Sequence, residues 1–192
     1  MNIFILDKSP EKSAQMMCDV HVRKMLVEAA QMLSIAAAYH MGAIADTVDP
    51  WCKRHYLRFR VGMIEGINKY TKSQASHPCS LWARTCKENA LWLIDYACYM
   101  AKEYEHRFDK KPEKSLAVIA RCRHLLDKPG ALKTLGYRTR FYTAVAEEFR
   151  SVSVVGSYRR YYAAKKQHLL KYTRRETPRW LKAITPKQKK MK

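Results

Sequence analysis

His21, Lys24 and Glu28 are the residues whose types and spacing best suit acid–base chemistry. Steps of three and four residues set them in one line on a helix, and Gln31 extends that line by another turn. The line borders an apolar stripe, where burial and a charged neighbour can move an imidazole or a carboxyl toward the working range of a general acid or base. The same spacing also describes a structural arrangement, a Lys24–Glu28 ion pair beside a hydrogen-bonded His21. Spacing alone leaves both readings open.

Other constellations offer binding rather than proton transfer. Cys18-x-x-His21 and Cys52-x-x-His55 carry the ligand types of a zinc site, but both pairs lie in helical patterns with no knuckle or ribbon, so the expectation is buried thiols and no metal. In SHPCSLWAR (residues 76–84), His77 precedes a helix start whose amides favour an anion, with Arg84 further along; His77 could equally be a simple cap. Toward the end of the chain, Tyr158, Arg159, Arg160, Tyr161, Tyr162 and Lys165 interleave aromatics with cations, a mixture that can stack on bases and contact phosphates. The competing reading makes the tyrosines core and the cations solvated. No phosphate-cradling glycine loop, dinucleotide fingerprint or nucleophilic serine elbow is present, which argues against a nucleotide-driven motor, a kinase or an ordinary esterase.

The global charge favours the nucleic-acid reading. Lys and Arg number 37 against 17 Asp and Glu, a net charge of +20, and a basic surface of that size gains affinity for a polyanion by releasing counterions. Nucleic acid fits better than an anionic membrane. No apolar run approaches the ~20 residues that span a bilayer, and the opening MNIFILDKSPEK lacks the features of a secretory leader, so the expectation is a soluble monomer of the cytoplasm, the host's if the chain is viral. The six cysteines are then thiols rather than disulfides. No cofactor is expected.

These residues need elements to position them. With 47% hydrophobic residues and only 6 Gly and 7 Pro, a chain of 192 residues can bury roughly 70% of its unfolded surface in one core. Residues 1–8 suggest a short extended segment. Ser9-Pro10-Glu11 then starts a long helix whose apolar face includes Cys18, Val22, Met25, Ala29, Met32, Leu33 and Ala36, stopped at Gly42. Val20, Val27 and Ala30 make its far side apolar too, implying packing on more than one side. Asp49-Pro50 opens a second helix through the aromatic, basic stretch around residues 51–70. His77-Pro78 opens a third that runs to about Phe108, a fourth spans residues 112–126, residues 131–156 carry no clear pattern, and another helix starts near Ser157. The expected fold is mainly α, a single-domain helical bundle over residues 1–180 with a long central N-terminal helix, followed by a basic disordered tail over 181–192.

Asp19, His21, Arg23, Lys24 and Glu28 together resemble the motif of the phage endonuclease V-like enzymes, the pyrimidine-dimer DNA glycosylases, in which a histidine lies seven residues before a catalytic glutamate with basic residues between. The similarity continues through the helix that ends at Glu103, Arg107 and Phe108 and into the closing YRRYY segment. The resemblance implies an all-α enzyme that binds double-stranded DNA, extrudes a nucleotide and attacks the sugar with its own α-amine, forming a Schiff base, with Glu28 as acid/base. It places His21, Arg23, Lys24, His77 and Arg84 around the phosphate or flipped nucleotide. The family's nucleophile is the amine of a small residue exposed by methionine removal; Asn2 is larger, so here the expected amine is that of Met1. Two other functions suit the same residues: a transferase that modifies DNA bases, and a non-catalytic nucleic-acid binder.

Overall fold

The computed structural model describes residues 1–48, 55–59, 64–130 and 132–184. The Ser9 hydroxyl accepts the Lys12 N–H, and Pro10 fills a first helical position that needs no N–H, so α1 (Pro10–Gln15) starts where the sequence implies. It does not continue as one long helix. A break at residues 16–18 separates it from α2 (Asp19–His40), because distant partners satisfy the backbone groups that the break frees. The Cys18 N–H donates to the Tyr162 hydroxyl at 2.9 Å, the Gln15 and Met17 carbonyls accept from the Arg107 guanidinium, and the Asp19 N–H donates to the Lys171 carbonyl at 2.8 Å. Helix α2 ends at Gly42, whose φ of +73° suits a residue without a Cβ.

Helix α2 is the centre of the bundle. Its Val22, Met25, Leu26, Ala29, Ala30, Leu33, Ala36 and Ala37 are buried, and it packs against α4 (Pro78–Thr85), α5 (Lys87–Phe108) and α6 (Glu113–Leu126). Its alanines let these neighbours approach closely. The far side departs from expectation in part: Ala30 is buried, whereas Val20 and Val27 are exposed and share the solvent-facing side of α2 with Arg23 and Lys24.

The third helix is also two. Cys86 is extended (φ −154°, ψ 164°), Lys87 donates to the Lys133 carbonyl, and the Asn89 amide takes the Trp82 carbonyl at the end of α4, so a tertiary strap across 132–139 stabilises the break between α4 and α5. The helix expected around 51–70 is corrected more severely. β1 (Ile44–Val48) and β2 (His55–Phe59) form an antiparallel hairpin with Ile44 opposite Phe59 and Val48 opposite His55. β-Branched and aromatic residues favour strands, and the pairing satisfies backbone groups across the chain, which a local helical pattern does not report. The Asp49-Pro50 start, Cys52 and Gly62 lie outside the described residues.

A short α3 (Lys72–Ala75) carries a capping box between Thr71 and Gln74 and leads into α4. Residues 132–153 are largely irregular, with one 3-10 turn at Glu147–Phe149. α7 (Val154–Lys165) begins three residues before Ser157 because the Ser153 hydroxyl caps it. α8 (Arg179–Ile184) buries Leu181, so the first residues of the expected tail are helical; 185–192 lie outside the described residues. Among the described residues no helix is long and apolar enough to cross a membrane. The whole is mainly helical.

The opening segment is irregular and buried rather than a strand. Ile3, Phe4, Ile5 and Leu6 are all at most 4% exposed, and the Ser13 hydroxyl donates to the Phe4 carbonyl and accepts the Leu6 N–H. That anchorage carries residue 2 to the side of α2.

Candidate active site

The buried run 3–6 leaves Asn2 facing Glu28 across the edge of α2. The Asn2 backbone N–H donates to Glu28 Oε2 at 2.8 Å. The Glu28 side chain is 13% exposed, and its Oε1 lies 3.9 Å from the solvent-facing Lys24 ammonium. The Asn2 side chain is fixed as well: its Nδ2 donates to the Ala144 carbonyl at 3.1 Å, and its Oδ1 accepts from the Tyr158 hydroxyl at 2.9 Å and from the Ile3 N–H at 2.8 Å. The Cys79 thiol is 3.8 Å from the same oxygen.

Tyr158 is the centre of this bracket. Its fully buried hydroxyl accepts the Ala144 N–H at 3.1 Å and has one proton to give; the Asn2 contact is shorter than the 3.3 Å to the Tyr142 carbonyl. Burial pushes the phenol well above its usual range, so it stays protonated as a donor. Burial likewise pushes the Cys79 thiol up to about 11, which keeps it neutral at physiological pH.

Met1 is half-buried against the core. His77 caps α4 by accepting the Cys79 N–H through Nδ1; burial and then the positive charge of the N-terminus hold it below its ordinary value. His21 is turned inward instead. It is 3% exposed, stacks on Phe4 at 4.8 Å and shares a 2.8 Å hydrogen bond between Nδ1 and the Tyr162 hydroxyl. Burial, followed by the charges of Lys166 and Lys24, lowers it to about 4. It is therefore a neutral imidazole at physiological pH, and its ring meets Phe4 and Tyr162 rather than Glu28.

The basic residues divide by exposure. Arg23 is exposed with its guanidinium 4.8 Å from the Phe108 ring centre, and Lys24 and Arg160 are exposed. Lys165 is exposed beside Glu148 and the Phe149 ring. Arg159 donates to the Leu6 carbonyl at 2.8 Å and lies near Asp7, which ties α7 to the opening segment. Arg84, expected beside an anion at the start of α4, is only 7% exposed, with its guanidinium over the Tyr39 ring. Tyr158 and Tyr162 correct the expectation of base stacking: both are fully buried, because α7 uses its aromatic face to pack on Phe4 and the break before α2. Tyr161 is half-buried and stacks on Phe4 at 6.1 Å.

What the fold assembles is a chain nitrogen and a carboxylate at hydrogen-bond distance, on the edge of a solvent-facing strip containing Arg23, Lys24 and Val27. Such a pair can serve as nucleophile and proton carrier if the nitrogen becomes an amine. Sequence reasoning singled out Glu28 but treated Asn2 only as an obstacle and missed Ala144. The available signal was a lone polar side chain directly before the apolar IFIL run, where it needs specific partners once that run is buried. Among the described residues no group of three or more His, Cys, Asp and Glu is arranged to hold a metal ion; Cys52 lies outside them.

Residues 1–116 match the sequence pattern of the family described as pyrimidine dimer DNA glycosylase. Comparison with curated proteins and with solved structures finds no match.

Proposed function

The chain belongs to the pyrimidine dimer DNA glycosylase family, and from that premise we propose that it excises a base from double-stranded DNA and opens the resulting site as a lyase, with the Asn2 nitrogen as nucleophile and Glu28 as acid/base. A DNA substrate and a glycosylase type of function come with the family. The observation that supports the finer reading is the 2.8 Å contact between the Asn2 nitrogen and Glu28 Oε2.

In a chain that has lost Met1, that nitrogen is an α-amine, and the contact to Glu28 sets it beside its proton acceptor. Its lone pair attacks C1′ of an extruded deoxyribose, the C1′–N bond to the base breaks, and the bonding pair leaves with the base, which takes up a proton. Glu28, beside the attacking nitrogen, takes a proton from it and delivers one to the sugar ring oxygen, so that the ring opens to a Schiff base. Loss of a C2′ proton then expels the 3′ phosphate. The Tyr158 hydroxyl and the Ala144 carbonyl hold the Asn2 side chain, fixing the direction of its nitrogen. Arg23 and Lys24 face the strand, while His21 and Tyr162 support the segment that carries residue 2. If Met1 stays in place, its own amine, whose charge is felt by His77 and Cys79, is the alternative nucleophile.

The test is product analysis on duplexes carrying a pyrimidine dimer, an abasic site or a modified pyrimidine. Cleaved glycosidic bonds and strand breaks with a 3′ unsaturated sugar are expected. A base altered with its glycosidic bond intact would select the transferase function, and binding with no change to any duplex would select the non-catalytic one.

A further inference from the structure

The segment that brackets Asn2 also builds a cavity of about 280 Å³, lined by Arg140, Tyr142, Thr143, Arg150, Ser151 and Ser157. It lies outside the 1–116 match. Its lining holds two guanidinium groups and four hydroxyl-bearing residues but no carboxylate, and among the described residues no acid pairs with Arg140 or Arg150. Two exposed guanidinium groups lining one cavity offer an anion charge-assisted hydrogen bonds with no carboxylate of the lining to compete for them.

The walls are held. Arg140 donates to the Val152 carbonyl at 3.2 Å, joining the two sides; the Ser151 hydroxyl donates to the Ser153 carbonyl; and the Ser151 N–H donates to the Ser157 hydroxyl. The shape therefore does not depend on the ligand. A neighbouring cavity of about 410 Å³ shares Arg140 and adds Lys8 and Arg138 over an apolar floor of Phe141, Val154 and Val155, so the positive charge continues as a strip. Tyr142 and Thr143 immediately precede Ala144, whose carbonyl holds Asn2, and the Tyr142 carbonyl lies 3.3 Å from the Tyr158 hydroxyl. An anion in the cavity is thus one short backbone step from the residue that orients the nucleophile.

We propose that the Arg140–Arg150 cavity binds a DNA backbone phosphodiester next to the target nucleotide, making residues 140–157 a second anchor for the strand. The inference rests on the glycosylase reading above. Phosphates on both sides of an extruded nucleotide must be held while its base leaves the stack, and a cavity with paired guanidiniums and hydroxyls suits the two free oxygens of one phosphodiester.

The experiment measures binding to a duplex with a stable abasic analogue, in which each phosphate near the site is replaced in turn by a neutral methylphosphonate. The unsubstituted protein should lose about tenfold in affinity at one position or two adjacent ones. Arg150→Gln, and separately Arg140→Gln with Arg150→Gln, should bind the natural duplex about tenfold more weakly, lose nothing more at that position, and lower the log–log salt slope by ~0.9 per contact removed. Additive losses at every position, or an unchanged slope, would overturn the proposal. Among the described residues the Arg150 side chain makes no hydrogen bond, its backbone N–H alone donating to the Glu147 carbonyl, so the single Arg150 variant tests binding while leaving the Arg140–Val152 wall contact in place. Base release under saturating protein separates this idea from its premise: normal release with unaltered salt dependence in the variants sinks only the cavity, whereas an unsubstituted chain that neither binds nor cleaves the duplex sinks both.

Discussion

Buried Asp19 and Glu103 on one side and half-buried Glu28 on the other, all joined to distant parts of the chain, differ in how fully their oxygens are used. Asp19 (side chain 3% exposed) accepts from Arg107 and from the Thr173 N–H and hydroxyl; Glu103 (5%) accepts from Arg107 and Arg175. Arg107 also donates to the Gln15 and Met17 carbonyls, so this network clamps the break before α2 to α5 and to the C-terminal segment. Glu28 is different: one oxygen meets the Asn2 nitrogen, and among the described residues the other has Lys24 at 3.9 Å and no closer partner. A saturated carboxylate is spent on structure. A carboxylate with an unused oxygen at a solvent edge can still exchange a proton.

Glu28→Gln sharpens that contrast most, because it keeps shape and removes the charge. Base release should fall by about a thousandfold while duplex affinity and melting temperature stay near those of the parent, as single-turnover rates and thermal unfolding would show. Equal rates would remove Glu28 from the mechanism. Arg107→Ala makes the opposite cut: it leaves buried Asp19 with no cation and Glu103 with Arg175 alone, and should cost about 3 kcal/mol of stability in denaturant unfolding. A loss well under that would mean the clamp is not what holds the break. Tyr158→Phe removes one hydroxyl from the Asn2 bracket and should slow base release roughly tenfold with little change in affinity.

Some of this organisation was legible in the residues. Ser9-Pro10, Gly42 and His77-Pro78 mark helix ends because caps and proline act locally, and the Lys128-Pro129-Gly130 turn follows α6 directly; a Cβ at Gly130 would meet the His40 ring at 2.7 Å. The breaks at 16–18 and Cys86 were not legible, since both are stabilised by side chains and backbone far along the chain. The hairpin failed for the same reason: strand pairing is a relation between segments, and residues 55–59 alone do not reveal β1. Within the site, Glu28 stood out by spacing. Its partnership with Asn2 did not, because it depends on residues 3–6 being buried beneath α1, and the tyrosines of α7 looked like a base-stacking surface until Phe4 and Cys18 claimed them.

A smaller effect separates the inward histidine from the site. His21 sits at about 4 in the fold against an ordinary 6.5, so between those values the unfolded chain binds more protons. The His21 contribution to stability is therefore complete above about 6.5 and is lost as pH falls toward 4. His21→Phe should flatten that part of the melting temperature profile, and an unchanged profile would show that His21 is not the group responsible. At the bottom of the scale, Asp109→Asn breaks the exposed pair with Arg174 and should leave the melting temperature unchanged within error.

The most direct test of the Asn2–Glu28 centre is borohydride trapping on a duplex with an abasic site, followed by peptide mapping of the covalent adduct and determination of the mature N-terminus. An adduct on the α-nitrogen of Asn2 is the predicted result. An adduct on a retained Met1 or on a lysine side chain, or none despite firm DNA binding, would contradict the account.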